Sequence, residues 1–114
     1  MHYIFEVTVK PGYSVEDYAQ GWVAASRHIQ QAPGARGTRL HRKIGDPSTV
    51  LAIATWESKQ CRDAMEANPP EEIKAIIDAQ MPYVSIRFLG EFDAPEWLVL
   101  PPDYQSEGAA YLDG

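Results

Sequence analysis

The chain predicts an α+β protein of ferredoxin-like order, β-α-β-β-α-β, with one four-stranded antiparallel sheet. Three observations carry this. Residues Tyr3 to Val9 alternate in polarity. Two later segments, from Ser14 and from Ser58, repeat apolar residues at helical spacing behind a good N-cap. Between them, PGARGTRLHRKIGDPSTVLAIATWES (Pro33 to Ser58) reads as a helix stop, a strand, a turn, an apolar strand and a helix start.

The elements follow in order. In the first strand Tyr3, Phe5, Val7 and Val9 share one face, and Ile4, Glu6 and Thr8 share the other. Lys10-Pro11-Gly12 ends it. Ser14 caps a helix whose first turn holds Glu16 and Asp17, favourable at the positive end of the helix dipole. Val15, Tyr18, Ala19, Trp22, Val23, Ser26 and Ile29 form its apolar stripe to about Gln31. Pro33-Gly34 stops it. Thr38 to Ile44 is the second strand, with Thr38, Leu40, Arg42 and Ile44 on one face and Arg39, His41 and Lys43 on the other. Gly45-Asp46-Pro47-Ser48 reads as the turn, and Val50 to Trp56 as a third strand that is apolar on both faces. Ser58 caps a helix to about Ala67. Asn68-Pro69-Pro70 breaks it, and it restarts from Glu71 to Met81 with Ile73, Ile76 and Ile77 inward. Tyr83 to Phe92 is the fourth strand.

Two helices cover one sheet face only. A third strand with no polar side needs cover on both. The sequence therefore predicts a homodimer joined through the free face of the sheet. Composition agrees with one small domain over residues 1–92 and an acidic extension over 93–114. The chain has 114 residues, 45% apolar, and a net charge of −6. Acids and bases balance up to residue 90, ten of each. All of the excess lies in Glu91, Asp93, Glu96, Asp103, Glu107 and Asp113, where no base occurs. An acidic excess argues against a nucleic-acid partner. Within the extension, Trp97-Leu98-Val99-Leu100 is expected to pack on the domain or on the partner subunit. The basic cluster Arg36, Arg39, Arg42, Lys43 is expected to receive its acids. The start, MHYIFEVTVK, has no signal-peptide pattern, and no run reaches membrane-spanning length, so a cytoplasmic protein with no membrane partner is expected. The single cysteine, Cys61, forms no intramolecular disulfide.

The strand with Leu40-His41, the short turn and the apolar strand ending Trp56-Glu57-Ser58 resemble the antibiotic-biosynthesis-monooxygenase-like family of the dimeric α+β barrel superfamily. The resemblance spans about residues 1–92. It implies a dimer of the predicted fold. It also implies a cofactor-free oxygenase of phenols or quinols, in which a deprotonated aromatic substrate itself reduces oxygen. Residue by residue, the family's tryptophan at the end of the third strand falls on Trp56. Its asparagine four residues earlier falls on Ala52, and its tyrosine six residues later falls on Arg62. The asparagine, tryptophan and histidine of the haem-degrading branch fall on Phe5, Met65 and about Ala75, which argues against haem degradation.

Such chemistry needs a dry apolar pocket with a donor for an oxyanion. The candidate catalytic residues are Trp56 and Tyr18. Trp56 would wall the pocket and aim its indole N–H at a substrate oxygen, or else close the core between strand and helix. Tyr18 lies one helical turn from Trp22 and could donate from the same wall. The candidate pocket residues are Phe5, Trp22, Ala52, Ala54, Arg62 and Met65. Ala52 and Ala54 are small side chains beside a large one, which leaves room. His41, beside Arg39 and Lys43, is read as an interface residue. No spacing of His, Cys or carboxylates suits a metal, and no glycine-rich phosphate loop occurs, so no cofactor and no metal are expected. The function expected is oxygenation of a small aromatic or polyketide-like phenol or quinol. The alternative is a non-catalytic homodimer that binds a small aromatic ligand or serves a structural role.

Overall fold

A computed structural model describes residues 1–104. The order is β1 (His2–Val9), α1 (Val15–Ile29), β2 (Ala35–Lys43), β3 (Asp46–Trp56), α2 (Lys59–Ala67), α3 (Glu71–Gln80) and β4 (Val84–Phe92), with a 3-10 turn at Met81–Tyr83. The strands form one antiparallel sheet in the order β2-β3-β1-β4. This is the ferredoxin-like α+β fold read from the sequence, with the second helical segment split at Pro69-Pro70.

Local chemistry explains the boundaries. Ser14 Oγ accepts from the Asp17 N–H at 3.0 Å, and Ser58 Oγ accepts from the Cys61 N–H at 3.2 Å. Both are side-chain caps of otherwise unpartnered helix donors. At α3 the carbonyl of Pro70 takes that place, accepting from the N–H groups of Ile73 and Lys74. One boundary differs from the sequence reading. The β2–β3 turn is the two-residue Ile44-Gly45, not Gly45 to Ser48. Gly45 takes φ +86°, which lets Lys43 pair directly with Asp46. The Asp46 carboxylate then accepts from the Ser48 N–H and from Thr49 Oγ1 at 2.7 Å, fixing the three residues that bulge between the Lys43–Asp46 and Arg42–Val50 pairs. These bonds, that of Thr49 foremost, lower the pKa of Asp46 below its usual value.

The pleat sends two sets of side chains in opposite directions. Tyr3, Phe5, Val7 and Val9 lie on the helix side, opposite Ala54, Ala52 and Val50 of β3. Val7, Val50 and Ala52 are buried there with Val15 and Tyr18 of α1 and Val84 of β4. The other face carries Ile4, Leu51 and Ile53, with Phe92 half-exposed, and no helix of the fold covers it. Ile77 faces inward as expected, toward the space between α3 and the sheet, but is not buried. It is 44% exposed on the flank of α3, while Ile73 is buried. The basic cluster has acidic neighbours within the domain: Arg42 pairs with Glu16, and Lys43 lies 4.0 Å from Glu6.

Beyond β4, Trp97 is 84% and Val99 96% exposed, and a 3-10 turn spans Pro102–Tyr104. The rest of the acidic extension, with Glu107 and Asp113, lies outside the described residues. Among the described residues, no helix is long and apolar enough to cross a membrane.

Candidate active site between the helices and the sheet

Two adjoining hollows lie between the sheet and helices α1 and α3. The inner one, about 140 Å³, is lined by Phe5, Tyr18, Trp22, Ala52 and Ala54. All five were singled out in the sequence, and the register explains their meeting. Phe5 pairs with Ala52 across β1 and β3, and Tyr18 and Trp22 are one turn apart on the inward stripe of α1. The outer hollow, about 340 Å³, is lined by Phe5, Arg62 and Met65. Phe5, Ile29, Ile77 and Ile86 border both, so the two share a wall. The partial exposure of Ile77 follows from this position on the shared rim.

Trp56 lines neither hollow. It is 2% exposed, at the end of β3, and its backbone N–H donates to the Met1 carbonyl at 2.9 Å. The structure thus gathers seven of the eight candidate residues around the two hollows and leaves Trp56 in the packed core.

Three polar residues of the inner wall were not named from the sequence as site residues: Ser26, Thr38 and Gln80. Each has a pattern signal. Ser26 is one turn beyond Trp22 on the same stripe. Thr38 pairs with Ala54. Gln80 follows Ile73 and Ile76 by seven and four residues, a helical interval. Polar residues in an apolar stripe read as its ragged edge until the fold shows what they surround.

Two electrostatic environments result. In the inner hollow the titratable group is Tyr18, buried on α1. Burial, and secondarily Tyr13, pushes its phenol up to about 12. It is therefore a neutral O–H donor at physiological pH and a poor base. The sign for stability follows. The unfolded phenol ionises near its ordinary value of 10. Above that pH the unfolded state holds fewer protons than the folded state, so stability falls from pH 10 to about 12. Denaturant titrations across this range should show the fall, up to about 3 kcal/mol, and Tyr18→Phe should remove most of it. An equal fall in the variant would assign it to other groups.

In the outer hollow an aromatic wall stands under a cation. Tyr3 packs on Phe88 with ring centroids 4.7 Å apart and meets Phe5 edge-on at 5.9 Å. The Arg62 guanidinium lies 3.8 Å above the Tyr3 ring centroid. Its Nη1 pairs with Glu66 one helical turn on and lies 3.7 Å from Asp63. The positive charge is thus partly neutralised on its own helix.

A wider groove of about 730 Å³ lies on the far side of α2, between it, the end of α1 and the start of α3. Its thiol, Cys61, accepts from Ser58 Oγ at 3.3 Å within the helix cap. Volume alone favours this groove. Convergence of hydroxyl and amide groups on buried apolar walls favours the inner hollow. Among the described residues, no group of three or more His, Cys, Asp or Glu could hold a metal ion.

Residues 1–76 match the family model described as antibiotic biosynthesis monooxygenase. No curated protein matches the chain. Among solved structures, it is similar to SnoaB of Streptomyces nogalater, described as a cofactor-independent oxygenase. The TM-score is 0.73 at 16% identity, over 85% of this chain and 94% of that one. It is also similar to a Pseudomonas aeruginosa protein, with TM-score 0.61 and 17% identity over 81% and 93% of the two chains. A conserved protein of Methanosarcina mazei gives TM-score 0.62 at 11% identity over 80% and 92%. At these identities the likeness is one of fold.

Proposed function

This chain belongs to the antibiotic biosynthesis monooxygenase family, and from that premise we propose that it is a cofactor-independent oxygenase of a small aromatic phenol or quinol. The observation that carries the reading is the paired hollow. The inner part has mostly apolar walls and holds a neutral phenol donor, Tyr18, while the outer part has an aromatic wall and supplies the length a fused-ring substrate needs. An inner hollow of about 140 Å³ is too small alone, since drug-sized ligands occupy roughly 300 Å³ or more. The outer hollow brings the combined space into that range.

The substrate carries the reducing power. Loss of a proton to solvent gives an anion with its charge shared between oxygen and ring carbon. The Tyr18 hydroxyl donates to that oxygen, and apolar walls strengthen the bond. The carbon then bonds to dioxygen. For an anthrone-type methylene, one oxygen atom ends as the ketone and the other leaves as water with the two methylene hydrogens. Four electrons pass from substrate to oxygen.

Oxygen uptake and quinone formation from an anthrone-type substrate test the reading. Tyr18→Phe keeps the ring and removes the donor, so turnover should fall about 100-fold, the usual loss for one oxyanion donor. Absence of turnover over a panel of anthrones and quinols, or an unaffected Tyr18→Phe enzyme, defeats it.

Two copies joined through the uncovered sheet face are part of the proposal, because Ile4, Leu51 and Ile53 would otherwise face water together. So is a domain over residues 1–92 with the extension from 93 onward lying on the domain or its partner, which would shield Trp97 and Val99. Arg62 favours the second reading, a binding protein without turnover. Its guanidinium is engaged by Tyr3 and Glu66, and Ala52 offers no hydrogen bond. Retained ligand binding with no oxygen uptake selects that reading.

A further inference from the structure

Gly21 sits in the interior of α1, where glycine is the weakest helix former after proline. A Cβ at position 21 would lie 2.3 Å from Nε2 and 2.8 Å from Cδ of Gln80. The missing side chain is thus the space that the Gln80 amide occupies. That amide is at the last residue of α3, 9% exposed, and its Nε2 donates to the Tyr18 carbonyl at 2.9 Å. The bond settles which end of the amide faces α1, and leaves Oε1 as the free end. Oε1 has no protein partner among the described residues, and no unpartnered side-chain oxygen or nitrogen there is fully occluded. Since Gln80 lines the inner hollow, its free acceptor opens on that space.

An amide oxygen accepts hydrogen bonds and cannot donate them. A ligand that brings a hydroxyl satisfies it. A ligand of the same shape without one leaves it buried and unpaired, and sites of this kind reject such analogues. About 140 Å³ holds a single aromatic ring, since a cavity of roughly 150 Å³ takes up benzene. We infer that Gln80 is the specificity-determining residue of the inner hollow. It selects a ring that carries a hydrogen-bond donor, and Gly21 is the residue that lets its amide reach that position. The inference rests on the inner hollow being the substrate pocket, and it names the group by which the ring is oriented.

Phenol and toluene are the probes, one with the donor and one without. Each is titrated under nitrogen into the full chain by calorimetry. Contacts by NMR from ring protons to the methyls of Ala52 and Val84, which line the inner hollow and not the outer, establish that the inner hollow is occupied. In Gln80→Met the length is kept and the acceptor lost, so the phenol-to-toluene affinity ratio should fall about fivefold, the worth of one ordinary hydrogen bond. Gly21→Ala keeps the amide and displaces it, and should lower the same ratio. If Gln80→Met does not fold, Gly21→Ala decides. An unchanged ratio in folded variants, or failure of both probes to reach Ala52 and Val84 in the wild type, overturns the inference. Because no oxygen is present, a protein that binds and orients the ring without oxidising it still passes. Failure of the oxygenase reading is therefore scored separately.

Discussion

Gly34→Ala will destabilise the fold by about 2 to 5 kcal/mol, without touching the active site. Two independent terms add. Gly34 has φ +83°, a region that costs an L-residue about 1 to 2 kcal/mol. Its Cβ would also lie 2.6 Å from Sγ and 2.7 Å from Cβ of Cys61. Neither atom is the tip of a long side chain, so α2 itself must move, at a cost of about 1 to 3 kcal/mol. The position is pinned from the other side as well, since the Gly34 carbonyl accepts from the Glu57 N–H at 2.8 Å. Gly34 thereby ties the end of α1 to the β3–α2 junction, and the loop cannot retreat. At this size the loss should lower Tm by roughly 8 to 20 °C. Adding Cys61→Ala removes the Sγ contact and leaves the Cβ contact and the φ term, so it should restore a minor part. A fall under about 4 °C for Gly34→Ala alone would mean that the α1–β2 connection is slack.

That contact also shows where sequence reading reaches its limit. Pro33-Gly34 is legible as a helix stop, because a pyrrolidine ring and a positive φ are local properties. That α2 rests against the glycine is not local. The same holds elsewhere. The alternation of β1 and the caps at Ser14 and Ser58 give the element order, and the order leaves few topologies. Five of the inner wall's residues follow from that order, because period 2 in β1 and β3 and period 3.6 in α1 decide which side chains face one another. Sequence puts the turn one residue late, because Asp46-Pro47-Ser48 has turn composition. Yet the Asp46 carboxylate spends its acceptors on Ser48 and Thr49, and the reversal falls on Ile44-Gly45, where Gly45 supplies the positive φ. Gln80 is not legible in the sequence, because its partner is a backbone carbonyl 62 residues earlier in the chain. No spacing rule encodes such a pair.

Trp56 is the residue for which structure and resemblance give different emphasis, and substitution separates them. It is 2% exposed, with Ala35 of β2 opposite it across the sheet. Its core position makes Trp56→Ala cost about 3 to 5 kcal/mol, the usual range for a buried aromatic cut to a methyl. Denaturant unfolding reads this directly, and a loss under about 1.5 kcal/mol would mean that the indole is not packed as a core residue. Trp56→Phe keeps an aromatic plane and opens a smaller void, so it should cost about 1 to 2 kcal/mol. The functional readout divides the roles. A residue that walls neither hollow can affect the ring only through the backbone of β3, where Ala54 and Ala52 precede it on the same face. Trp56→Phe should therefore keep ring binding and turnover within about threefold of wild type, while Tyr18→Phe keeps binding and loses turnover. If Trp56→Phe instead loses turnover as steeply as Tyr18→Phe at unchanged stability, the indole N–H reaches the substrate. The hollow must then extend along β3 when it is filled. The order of the two variants, not the size of either loss, decides which side chain holds the oxyanion.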